Sequence, residues 1–128
     1  MLVIRSEQMA ALDRYAAAQF EDRVAAHLRA RWPQSCAEMG DAALRERVAI
    51  GVERAAGYGL VAELDVCRYV ELMFVLSPDF DTDARFPWAG EVLRQPELAP
   101  CTRIDRLEVL ARRCPEARAP EAQGGAAR

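Results

Sequence analysis

Between Ser6 and Trp32, apolar side chains recur at steps of three or four residues: Met9, Leu12, Ala16, Phe20, Val24, Leu28 and Trp32. That spacing is one face of an α-helix; a strand, whose faces alternate every two residues, does not produce it. Ser6 suits the N-cap, Glu7 complements the positive end of the helix dipole, and Arg29 and Arg31 fall in the last turn, before Pro33 ends the run. A helix of this length with one apolar stripe must bury that stripe against something, so the rest of the chain is read for partners to it.

The same period returns downstream. After a connector from Gln34 to Gly40, Asp41 is placed to cap a helix carrying Leu44, Val48, Val52 and Ala55, which Gly57-Tyr58-Gly59 closes with Gly59 just past its end. A third helix, from about Ala62 to Leu76, has Glu63 and Asp65 in its first turn and Val66, Tyr69, Val70, Met73 and Phe74 on one side. Leu72, Val75 and Leu76 widen that surface, which predicts a central helix packed on several faces. Pro87 opens a short helix holding Trp88, Val92 and Leu93, and a last helix from about Thr102 to Arg113 carries Ile104, Leu107, Leu110 and Ala111, with an i,i+4 Glu108–Arg112 pair. The expectation is an all-α fold, a compact bundle of four to five helices with short connections, forming one domain over residues 1–114. Residues 115–128 have no aromatic or large aliphatic side chain to bury and are expected to be a disordered tail.

Composition narrows the function classes. All 17 basic residues are Arg, without Lys or Asn, the bias of a GC-rich bacterial genome. Against 20 acidic residues they leave a net charge of −3 with no basic stripe, so nucleic acid is not an expected partner. A helix-turn-helix reading would have to rest on Arg103, Arg106, Arg112 and Arg113. No apolar run reaches the roughly 18–20 residues that span a bilayer, and Met1-Leu2-Val3-Ile4-Arg5 is too short for a signal-peptide core; a cytoplasmic protein without a membrane partner is expected. Cys36, Cys67, Cys101 and Cys114 lack the density of a disulfide framework and are expected as reduced, buried thiols. If the last helix is continuous, Cys101 and Cys114 are about 20 Å apart along it and cannot pair. The arm Leu2-Val3-Ile4 either docks on its own core or extends toward another chain.

Asp79-Phe80-Asp81-Thr82-Asp83 imitates the first half of a calcium loop, but the sixth position is Ala84 instead of Gly and the twelfth is Gly90 instead of Glu. It reads as a solvated acidic turn, and no metal or other cofactor is expected. With His27 as the one histidine and no serine in a nucleophile-elbow context, no nucleophile–base pair is evident and no enzymatic activity is expected. Aromatic residues rimmed by charge are the composition of a protein-binding patch, which makes Asp79, Phe80, Asp81, Asp83, Phe86 and Trp88 the candidate partner-binding residues. The competing reading has Phe80 and Trp88 closing one end of the core, as large aromatics usually do.

Ile4-Arg5 with Gln8-Met9, Phe20, His27-Leu28 with Trp32-Pro33 and Cys36, Tyr58-Gly59, Asp65-Val66, Met73-Phe74, Phe80-Asp81 and Pro87-Trp88-Ala89 follow one another in an order that resembles a family of short helical proteins encoded beside type VI secretion spike and effector components in proteobacteria. The resemblance covers residues 4 to about 95 and leaves out Cys101 to Arg128. It implies a non-catalytic accessory, an adaptor or co-chaperone that helps load an effector or its adaptor onto the secretion spike, with another protein as partner. An immunity protein that neutralises a toxin, its acidic loop mimicking a substrate, is the alternative.

Overall fold

The computed structural model describes residues 6–121, with side chains from Asp13 onward; the arm Leu2-Val3-Ile4 and the side chains of Met9 and Leu12 lie outside the described residues. The described chain is all-α, with six helices: α1 (Ser6–Arg31), α2 (Pro33–Met39), α3 (Asp41–Gly57), α4 (Glu63–Val75), α5 (Pro87–Leu93) and α6 (Pro100–Arg112). No helix among them is long and apolar enough to cross a membrane. The helix beyond the expected number is α2, which occupies the segment read as a connector. Pro33 does stop α1, but its fixed φ and missing N–H also suit the first turn of a new helix, and the chain turns at Trp32 to begin one. Proline fills the same role at the start of α5 and α6.

Glycine sets two boundaries. Gly40, at φ 86°, takes the N-cap position expected of Asp41, which instead becomes the first residue of α3 and meets Arg29 at 3.2 Å. Gly59, at φ 82°, ends α3 as expected: its N–H donates to Ala56 O and that of Leu60 to Ala55 O, the paired bonds of a Schellman turn. Leu60 and Ala55, both fully buried, supply the apolar contact that accompanies this turn.

The predicted faces are the buried ones. Val24, Leu28 and Trp32 of the first stripe meet Leu44 and Val48 of α3 and the apolar sides of α4 and α6 in one core. α4 is central, packed on α3, α6 and α1. It approaches α3 so closely at Gly51 that a Cβ there would sit 2.7 Å from Met73 Sδ and 2.8 Å from Val70 Cγ2. Each large apolar side chain buried this way contributes on the order of 1.5–3 kcal/mol. Aromatic contacts extend the core: Trp32 lies 5.8 Å from Phe74 and Tyr69 lies 5.0 Å from Phe80, between ring centroids.

Arg103 is only 6% exposed, although the sequence placed it among the arginines of a hypothetical DNA-binding face. Its Nη1 donates to Tyr58 O and to Leu93 O, each at 2.8 Å, and its Nε to Leu98 O at 3.3 Å. Tyr58 caps α3 and Leu93 ends α5, so the guanidinium sits where the negative ends of two helix dipoles converge. Replacing it with a side chain of similar reach and no donors strands those carbonyls. Arg103→Met is expected to lower unfolding free energy by about 2–4 kcal/mol in urea denaturation, whereas Arg106→Ala, at an exposed position of the same helix, leaves the midpoint unchanged.

Candidate functional site

The acidic loop between α4 and α5 folds as consecutive turns, with Phe80 N donating to Ser77 O, Thr82 N to Asp79 O and Phe86 N to Asp83 O. Phe80 and Phe86 are buried, the first against Tyr69. Between them the Asp81 carboxylate is drawn under the surface, where Oδ2 accepts the Tyr58 hydroxyl at 2.7 Å. Arg54 reaches Asp79 at 2.8 Å, stands 3.9 Å from Asp81 and donates to Pro78 O. Asp83 accepts from Ser77 Oγ and from the Arg85 side chain and backbone N–H; Arg85, first among these, holds its carboxyl well below the usual carboxylate range.

Of the six candidate partner-binding residues, Phe80, Asp81 and Phe86 are placed inside the domain. The reason is the spacing: two phenylalanines wanting the core pull an aspartate in with them. Asp79 is exposed and Asp83 half-buried, both in ion pairs within the chain, and half-buried Trp88 lies edge-on to Phe86 at 5.9 Å. Phe80 closes the end of the core, the competing reading given above. Among the described residues no three His, Cys, Asp or Glu side chains gather around a point where a metal ion would fit.

Away from that loop, the C-terminal end of α1, α4, α6 and residues 114–120 enclose a cleft of about 570 Å³. Residues 115–121, expected in the tail, here form a docked strap. Arg118 N donates to Val75 O and Glu121 N to Arg31 O, and the Glu121 carboxylate accepts the backbone N–H groups of Gln34 and Ser35 and the Ser35 hydroxyl. The Arg118 guanidinium lies 5.0 Å over the Trp32 ring. Residues 122–128 lie outside the described residues.

Glu71 is the polar anchor of this side of the bundle. It accepts from Arg31 and from His27 and Trp32 ring nitrogens at 3.1 and 3.3 Å. Burial pushes its carboxyl up, but the bonds from Arg31 and His27 outweigh this and hold it below its ordinary value. Arg68 spans α4 to α6, donating to Glu108 and Asp105. Glu108 thus pairs across helices with Arg68 instead of with Arg112 along its own helix. All four cysteines are free, as expected, but burial was expected too widely: Cys36 is buried, Cys67 and Cys114 are half-buried and Cys101 is exposed.

The long helix α1 leaves a further surface. Every residue from Asp13 to Gln19 is exposed, with Tyr15 64% exposed, and Phe20 is half-buried; full burial of the stripe begins at Val24. The stripe that runs into the core therefore continues N-terminally along a helix nothing in the described chain covers. Sequence reading took the stripe as core throughout, because periodicity marks a face for burial without saying what buries it. Comparison with protein-family models, curated proteins and solved structures finds no match.

The Tyr58–Asp81 bond gives a pH signature. Burial, then the bond to the Asp81 carboxylate, pushes the Tyr58 phenol up to about 12. An unfolded tyrosine titrates near 10, so the native state retains a proton the unfolded state loses. The stabilisation is complete below pH 10 and disappears as pH rises toward 12. Urea midpoints are expected to fall over that interval, and Tyr58→Phe is expected to make the decline shallower; buried Tyr69, whose phenol burial also raises, retains part of it.

Proposed function

We propose that this chain is a protein-binding accessory whose docking surface includes the exposed stretch Asp13–Gln19 of α1. The observation that supports it is the uninterrupted stripe: spacing that buries Val24, Leu28 and Trp32 continues through half-buried Phe20 to Ala16, which no described residue covers. Seven successive exposed residues span about 10 Å of helix at 1.5 Å each, and the backbone continues to Ser6. Ala16, Ala17 and Ala18 keep that surface low, allowing a second helix to approach to the close end of the 8–10 Å range for packed helices. The occupant is therefore a partner protein's amphipathic helix, laid along α1 as helix-in-groove recognition lays apolar anchors at steps of three and four.

The resemblance to accessory proteins of type VI secretion supports a finer reading: a cytoplasmic adaptor or co-chaperone that holds an effector, or its adaptor, before loading onto the spike. The acidic loop that would serve an immunity protein as substrate mimic has its carboxylates engaged by Tyr58, Arg54, Ser77 and Arg85, so the α1 surface carries the preferred reading.

Tagged protein is expected to co-purify with a product of a neighbouring secretion gene, and a photo-crosslinker at position 17 to join the two through a helix of the partner. Tyr15→Glu with Ala16→Glu is expected to abolish the capture without moving the thermal midpoint. A clean monomer that ignores every neighbouring product contradicts the proposal. So does a homodimer crosslinked through α1 to itself.

A further inference from the structure

We infer that the cleft beneath the strap binds a small organic monoanion, an apolar body carrying one carboxylate that pairs with Arg112. The cleft's volume, about 570 Å³, falls in the range of small-molecule sites, roughly 300–1,000 Å³, and its lining sets small apolar side chains among charged ones, four arginines and two glutamates. Leu72, Val75, Ala111 and Ala117 form the floor.

The charges around that floor select the ligand. Arg31 is engaged by Glu71, Arg68 by Glu108 and Arg118 by Glu121, so these guanidinium groups already have carboxylate partners. Arg112, the remaining arginine of the lining, hydrogen-bonds to nothing among the described residues, and the helix partner its sequence position suggested, Glu108, is held by Arg68. One unmatched guanidinium beside an apolar floor is complementary to one negative charge on an apolar body. A carboxylate matches the planar fork of arginine in two parallel hydrogen bonds, and it carries a single charge where a phosphate monoester carries nearly two. The strap makes one wall of the cleft with Ala117, Arg118, Ala119 and Pro120, so the inference depends on its docked state and not on the exposed face of α1.

Isothermal titration of the full chain with sodium octanoate tests this, with acetate supplying the head alone and octyltrimethylammonium the tail with opposite charge. One saturable octanoate site is expected, weakened about tenfold or more by Arg112→Ala and unchanged by Arg113→Ala, at the exposed neighbour outside the cleft. Neither control ligand is expected to bind. Octanoate is also expected to slow alkylation of Cys114, which lines the cleft, without slowing that of exposed Cys101, as read by mass spectrometry. Absence of saturable binding, equal binding by Arg112→Ala, or equal binding of octyltrimethylammonium would overturn the inference. Saturation by an acetylated acidic pentapeptide but not by octanoate would overturn it in favour of a protein ligand.

Discussion

Arg103 enters the core with no ion-pair partner among the described residues, and carbonyl oxygens from three places in the chain compensate for its lost hydration: the C-cap of α3, the last residue of α5 and the turn before α6. An isolated buried cation is costly, and it is tolerated here because helix C-termini present unpaired carbonyls that need donors. The single guanidinium meets both needs at once. It thereby ties the end of α3 and the end of α5 to the turn before α6. The Schellman turn at Gly59 belongs to the same arrangement, since it aims Tyr58 O at the arginine while burying Leu60.

Around this point the bundle separates two kinds of surface. On one side the acidic loop closes inward, its carboxylates meeting Tyr58, Arg54, Ser77 and Arg85, although Asp81 Oδ1 is buried 3.9 Å from Arg54 without a hydrogen bond among the described residues. On the other, Glu71 collects Arg31, His27 and Trp32, and the strap crosses the end of α2 to wall the cleft. The groups with the strongest charges are thus mostly engaged in holding elements together. Two features stand outside these networks among the described residues: the exposed stretch Asp13–Gln19 of α1, and Arg112, the arginine of the cleft lining with no carboxylate partner.

Much of this was legible from residue spacing. Five helices, the central position of α4 and the terminating role of Gly59 follow from apolar steps of three and four and from the backbone freedom of glycine. The connector 34–40 was misread because Pro33 is both a terminator and a starter of helices. The strap escaped because composition measures what a segment can bury, whereas residues 115–121 dock through backbone hydrogen bonds, the Glu121 carboxylate and the Arg118 stack. The loop residues were assigned to the surface from their charge, although Phe80 and Phe86 take Asp81 inward. Glu71 carried a readable signal: a carboxylate within the apolar run from Tyr69 to Leu76 needs a cationic partner, and His27 and Arg31, one turn apart, offered two. No comparable signal marks Arg103, whose role arises only where separate helix ends meet.

The proposed docking role rests on α1 belonging to two environments, with Val24 and Leu28 in this chain's core and Asp13–Gln19 exposed. Amide hydrogen exchange, resolved by residue on the isolated monomer, measures this division directly. Protection close to the global unfolding limit is predicted from Val24 to Arg31, falling steeply N-terminal to Phe20 to the level of a helix that opens locally. Uniformly high protection through Asp13–Gln19 in the monomer would show that the chain covers this face itself, contradicting the account.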